Sequence, residues 1–235
     1  MSAALASAAL VSVPVARGPV MFRRASKRFR VSVAAMSDAE LRERLAARFR
    51  EVNGDHPMTA ADDAYAAAWF TGLEEVCRAA GRDAGGVRRL MLDGRLPLPA
   101  YLRSDGTEMV PSDLFDLAGR AGGVDRLREW FVSHWDDTGA GQAEWAAYLS
   151  GQYVCLRTVS PHTIRYKDAL VAAIEAAPAE PDAGTRAWTH RLHALIDELD
   201  ALEPPFTAYD RLRFGGPVSR DTCIDAMRAR YPRAA

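Results

Sequence analysis

The segment "LEEVCRAAGRDAGGVRRLMLDGRLPLPAYLRSDGTEMV", residues 73–110, decides the fold of this chain. Apolar residues recur at helical spacing before Gly81 and again between Asp83 and Gly94. A glycine just after such a run is typical of a helix end, and an aspartate just before one is typical of a helix start. The segment therefore predicts two helices joined by a tight turn.

A two-stranded hairpin is predicted directly after the second helix. Pro97 and Pro99 are incompatible with a helix over residues 95–102, so this stretch is expected to be extended. The "SDG" at 104–106 favours a tight turn, and residues 107–110 are expected to form the return strand.

This order of elements, together with the phrase "RRL…DGRLP", resembles the winged helix-turn-helix of the excisionase and MerR-type families over residues 72–118. In those families the second helix enters the DNA major groove, so the resemblance implies DNA contacts from that helix. Arg88 and Arg89 are the cations on it, and we expect both to point outward, away from the apolar face.

The charge of the chain disfavours DNA as a partner. Residues 73–118 carry six arginines against eight acidic residues, and residues 37–235 carry 24 basic against 31 acidic residues. Most non-specific affinity for DNA comes from cations aimed at phosphates. DNA binding is therefore possible but disfavoured.

The first 36 residues have a different composition from the rest. They contain six basic residues and no acidic one, and they are rich in Ala, Ser and Val. This composition is typical of a mitochondrial or plastid transit peptide, whereas a true start at Met36 would make the protein cytoplasmic. In both cases we expect an intracellular protein whose residues 1–36 are a disordered leader outside the fold.

The remaining chain predicts helices interrupted by glycine and proline. The fold class is therefore mainly α, with a winged-helix-like unit over residues 37–123 and a helical unit over residues 124–235. No run of eighteen or more apolar residues occurs, so no membrane partner is expected.

The stretch "YDRLRFGGPVSRD", residues 209–221, predicts an anion site. A glycine turn leads into a helix that Ser219 is expected to cap, and helix N-termini attract anions. The alternative is a plain turn whose arginines pair with Asp210 and Asp221. The candidate anion-binding residues are Arg211, Arg213, Gly215, Gly216, Ser219 and Arg220.

No other motif fixes a chemistry. His190, His193 and Asp197 could share one helix face, but no second ligand-bearing segment accompanies them, so we expect no metal site. The sequence indicates no cofactor, the catalytic residues stay unknown, and whether the protein is an enzyme stays open.

Residues 37–232 resemble a family of uncharacterised actinobacterial natural-product biosynthesis proteins. The resemblance is carried by "RRLMLDGRLPLPAYLRSDG", "YLSGQYVCLRTVSP" and "DELDALEPPFTAYDRLRFGGPVSRD". It implies an intracellular role in or beside a biosynthetic pathway. We therefore expect an accessory or interaction protein of secondary metabolism with a degenerate winged-helix scaffold, whose partner is a protein or a small anionic metabolite. The alternatives are a sequence-specific DNA-binding regulator and an enzyme that binds a small anionic substrate between the two units.

Overall fold

The structure is a computed structural model that describes residues 36–233. The predicted leader, apart from Met36, lies outside the described residues. The described part contains eleven α-helices and three short strands. They run in the order α1 (Asp38–Asn53), α2 (Ala60–Trp69), β1 (Thr71–Gly72), α3 (Leu73–Ala79), α4 (Ala84–Leu92), β2 (Tyr101–Leu102), β3 (Glu108–Val110), α5 (Asp116–Arg120), α6 (Val124–Val132), α7 (Thr138–Leu149), α8 (Pro161–Ala176), α9 (Arg186–Leu202), α10 (Ala208–Phe214) and α11 (Ala226–Arg230).

The fold is mainly α, as predicted, and polar side chains set several helix starts. Ser37 and Glu40 form a capping box at the start of α1. The Asp83 carboxylate accepts a hydrogen bond from the Gly86 amide at 2.6 Å at the start of α4. These contacts satisfy amides that have no partner inside the helix, which is why the chain becomes helical at those residues.

The predicted hairpin is confirmed, but it belongs to a three-stranded antiparallel sheet with the order β1-β3-β2. Tyr101 pairs with Met109 inside the hairpin, and Thr71 of β1 pairs with Val110 on the other side of β3. The sequence analysis missed β1 because a two-residue strand is too short to show an alternating pattern.

One hydrophobic core runs across the predicted boundary at residue 123. Val87 and Met91 of α4 share this core with Leu127 and Phe131 of α6 and with Trp145 of α7. Residues before and after position 123 therefore bury apolar surface against each other, and this burial fixes their relative position.

Two smaller clusters complete the packing. Leu170, Trp188 and Ile196 belong to a cluster built from α8, α9 and the C-terminal helices. Tyr101 and Tyr209 belong to another, which lies between α2, the sheet and α10. Among the described helices, none combines the length and the apolar composition that crossing a membrane requires.

Candidate functional site

Arg88 of α4 is enclosed by carboxylates and has no exposed surface. Its guanidinium donates to both carboxylate oxygens of Glu108, from Nε at 2.9 Å and from Nη2 at 2.7 Å. It also donates to Asp38 and to Glu74, each at 2.6 Å. The prediction that Arg88 points outward was wrong, because α1 packs on α4 and covers this side of the helix.

Hydrogen bonding keeps the Arg88 guanidinium charged. Burial disfavours the charge, but the hydrogen bonds from Arg88 to Glu108 and Glu74 outweigh this effect and raise the pKa of Arg88. Arg88 is fully engaged inside the protein, and no atom of it is free to contact a phosphate or a base.

Arg89 follows Arg88 in the chain, but its side chain is partly exposed to solvent. Its side chain keeps 34% of its surface exposed, and its Nη1 lies 3.8 Å from the Asp83 carboxylate. It borders an open polar groove together with Arg42, Arg82 and Glu74. Of the two predicted DNA contacts, only Arg89 is placed where a ligand could reach it, so DNA binding stays a prediction with reduced support.

Two arginines of the predicted anion site are engaged with carboxylates. Arg211 donates from Nε to Asp221 at 3.0 Å, as the alternative interpretation of this segment expected for Asp221. Arg220 donates from Nη2 to Asp200 at 2.7 Å. The predicted cap at Ser219 is wrong, because its hydroxyl donates to Glu203 and the chain enters a π-helical turn at Arg220–Asp225.

Arg213 points away from the other arginines of this segment. It donates to the Asn53 side-chain oxygen at 2.9 Å and to the carbonyls of Ala100 at 2.7 Å and Gly151 at 2.8 Å. Burial lowers the pKa of this arginine. Gly215 adopts φ +75° and ends α10, as a left-handed terminal glycine does.

The six candidate residues of this segment therefore do not converge on one open position. Gly216 continues the turn after Gly215, and the arginines on either side of it diverge to separate internal partners. An anion site at this place stays a prediction that these contacts do not favour.

A half-open recess lies between the sheet region and residues 148–159, on both sides of the predicted boundary at residue 123. Its free volume is about 40 Å³. Most of its lining is apolar or aromatic and comes from both units, including Phe70, Leu98, Leu114, Leu117, Tyr148 and Val154.

The wall of the recess is held by close backbone contacts. The Leu98 amide donates to the Leu149 carbonyl at 2.9 Å. Gly151 has φ +76°, and a side chain there would place its Cβ 2.7 Å from the Pro99 carbonyl oxygen. Arg213 donates hydrogen bonds to the carbonyls of Ala100 and Gly151. It therefore connects the two backbone segments that form this wall.

Asp113 is the acidic residue of the recess lining. Among the described residues no cation forms an ion pair with its carboxylate. Burial, with a contribution from the charge of Asp116, raises the pKa of Asp113. Tyr148 lies close enough for the Asp113 charge to raise its pKa further, after the larger effect of burial.

The described residues contain no cluster of three or more His, Cys, Asp or Glu side chains placed to hold a metal ion. His193 is buried with its Nε2 2.7 Å from the Tyr231 carbonyl oxygen. Asp197 forms an ion pair with Arg228 at 2.9 Å. His193 and Asp197 thus contact the C-terminal residues of the protein.

Neither the carboxylate cage around Arg88 nor the recess was predicted from the sequence. An acid inside the apolar strand "EMV" is a signal for a buried partner, and Glu108 could have been recognised in this way. No sequence pattern indicates the recess, because its lining comes from segments that are far apart in the chain.

Comparison with known proteins gives one match. Residues 127–232 match the model of a family of unknown function (DUF6058), so the match begins inside α6 and includes one side of the recess. Neither the curated proteins nor the solved structures contain a match to this chain.

Proposed function

We propose that this chain is an accessory or interaction protein built on a winged-helix-like scaffold that does not read DNA. The observation that carries the proposal is the enclosure of Arg88 by Glu108, Glu74 and Asp38. A recognition helix needs cations directed at the DNA backbone, and this helix turns its central cation inward.

The topology supports the scaffold part of the proposal. A strand, two short helices joined by a tight turn, and a hairpin follow one another, and the first strand pairs with the last to close the sheet. This order is what a winged-helix unit requires. The association with natural-product biosynthesis rests on the sequence resemblance alone.

An exposed aromatic side chain supports the interaction part of the proposal. Trp69 at the end of α2 is 42% exposed, and the Arg157 guanidinium lies 4.7 Å from the centre of its ring. Tryptophan and arginine are enriched at the centres of protein interfaces. Neither side chain is needed to fill a core cluster.

The enzyme alternative with an anionic substrate has less support. The arginines of residues 211–220 bind internal partners, and the recess between the two units presents a carboxylate rather than a cation. An anion would be repelled from Asp113 unless that carboxyl were protonated.

A DNA titration over a series of salt concentrations separates the proposal from the regulator alternative. We expect the full chain to show no binding that weakens steeply with salt, and an Arg89→Ala variant to behave like the wild type. Steeply salt-dependent binding that Arg89→Ala removes would overturn the proposal.

Cross-linking in a native extract tests for a protein partner. We expect a discrete hetero-complex that forms with the wild type and with the Leu212→Ala control, whose leucine is 56% exposed, but not with Trp69→Ala. Recovery of the chain without any partner would also contradict the proposal.

A further inference from the structure

The recess is lined by two polar groups, Asp113 and Tyr148, that the other described residues leave without a side-chain partner. The hydrogen bond that the Asp113 carboxylate accepts comes from its own backbone amide. Among the described residues, the Asp113 carboxylate forms no ion pair and the Tyr148 hydroxyl forms no hydrogen bond. The Tyr148 hydroxyl is not sealed from solvent, since it does not belong to the fully buried polar atoms that lack a partner, and Asp113 is partly exposed. Both groups are therefore reachable from the half-open recess.

A carboxylate beside apolar walls is costly unless a cation or a proton neutralises it. Arg120 is the arginine whose charge acts on Asp113, but it is exposed and forms no ion pair with it. The missing counter-charge is the observation that points to a ligand, because Asp113 lines an apolar recess, whereas the buried carboxylate Glu108 has an arginine partner.

We propose that the recess binds an alkylammonium group, with the ammonium on Asp113 and a short hydrocarbon chain against Leu98, Leu114 and Val154. The rings of Phe70 and Tyr148 line the same space and add an attraction for a cation. The Tyr148 hydroxyl can accept a hydrogen bond from the ammonium, which has three protons to donate.

The size of the recess limits the ligand. A water molecule needs roughly 10–15 Å³ of such space, so about 40 Å³ holds about three water-sized groups, and a longer ligand must extend through the mouth. A free small amine and a lysine side chain of a partner protein share this chemistry. The inference does not depend on the proposed function, since a free amine would fit it equally well.

The first experiment is a titration of the 15N-labelled full chain followed by NMR. The probes are propylamine, propanol and propionate, which have nearly the same size but carry a positive charge, no charge and a negative charge. We expect propylamine to shift the amide signals of Leu98 and Gly151 with a dissociation constant on the order of millimolar, propanol to bind at least tenfold more weakly, and propionate not to bind.

Asp113→Asn tests the role of the carboxylate, and Asp116→Asn is the matched control on the same turn, outside the recess lining. We expect Asp113→Asn to abolish the preference for propylamine over propanol, and Asp116→Asn to retain it. Equal binding of the two probes to the wild type, no binding of propylamine, or an unchanged preference in Asp113→Asn would each overturn the proposal.

A stability measurement distinguishes a ligand-binding carboxylate from a structural one. Because the pKa of Asp113 is raised by folding, its carboxyl favours the folded state at low pH, and this contribution is lost as the pH rises through the raised pKa. At neutral pH we therefore expect Asp113→Asn to unfold at a slightly higher urea concentration than the wild type. A large loss of stability would assign Asp113 a structural role and contradict the proposal.

The source of the ammonium group is resolved by a second pair of probes. Nα-acetyl-lysine methylamide is compared with Nα-acetyl-norleucine methylamide, which lacks the charge. Stronger shifts with the lysine derivative than with propylamine would indicate a lysine side chain of a partner. Shifts with propylamine alone would indicate a free small amine.

Discussion

Arg88 is fully buried and Arg213 is partly buried, and their surroundings are opposite. Arg88 is bound by three carboxylates, and its pKa is raised. Arg213 binds two backbone carbonyls and an amide oxygen, has no ion pair among the described residues, and has a lowered pKa. Arg88 balances charge between α1, α3 and the sheet, whereas Arg213 joins the backbone segments at Ala100 and Gly151.

The difference shows that an arginine inside the protein can serve two separate structural roles. Removing Arg88 would strand the negative charge of Glu108, whose residue is only 3% exposed. Removing Arg213 would leave neutral acceptors without donors but would strand no charge. The energetic consequences should therefore differ in size and in their dependence on pH.

The largest effect is expected for Arg88→Met. The substitution keeps the bulk of the side chain but leaves a buried carboxylate unpaired, so we expect the free energy of unfolding to fall by about 3–5 kcal/mol in urea denaturation. The control is Arg88→Met combined with Glu108→Leu, which removes both charges and should recover most of the loss. A double variant as unstable as the single one would show that packing, and not charge, dominates at this site.

The pH dependence of Arg88→Met sharpens the comparison. Hydrogen bonding to Arg42, together with the charge and the hydrogen bond of Arg88, lowers the pKa of Asp38, so part of the wild type's stability is lost as the pH falls through that lowered pKa. Arg88→Met lacks the share that comes from Arg88, so its deficit relative to the wild type should shrink as the pH falls from about 7 to about 3. Urea midpoints at both pH values measure the effect. A constant difference between variant and wild type would mean that Arg88 does not stabilise the charge of Asp38.

For Arg213→Met we expect the free energy of unfolding to fall by about 2–3 kcal/mol, which is less than for Arg88→Met. The reason is that three partly buried acceptor oxygens would lose their donor. The amide of Gly151 should also exchange with solvent faster. Lowering the pH should not restore the stability of this variant, since no carboxylate loses an ion pair. Acid rescue comparable to that of Arg88→Met would make the proposed distinction wrong.

Local structure around Arg88 could be predicted from the sequence, whereas the orientation of its side chain could not. The helices around residues 73–92 and the hairpin were predictable, because glycine, proline and capping side chains act over a few residues. The orientation of Arg88 was not, because α1 covers it with Asp38, fifty positions away in the chain. An arginine next to another on an amphipathic helix gives no local sign of which one is covered.

The candidate sites show the same limit. The arginines of residues 211–220 suggested an anion site because the sequence does not show that Arg213 reaches Asn53, Ala100 and Gly151. Asp113, by contrast, was only one acid among several in a turn. Its significance depends on the apolar segments that fold around it and on the lack of a partner, and both are properties of the tertiary structure.

The smallest effect is expected for Arg89→Ala, the direct neighbour of Arg88. Its side chain is one-third exposed, and its contact with the Asp83 carboxylate is long, at 3.8 Å, so the free energy of unfolding should change by no more than about 0.5 kcal/mol. Asp83 keeps its hydrogen bond to the Gly86 amide, so the start of α4 should not change. Urea denaturation of Arg89→Ala beside Arg88→Met tests this contrast between adjacent residues. A loss above about 1 kcal/mol would place Arg89 in the packing of the groove, because an exposed, weakly paired arginine has too few contacts to cost so much.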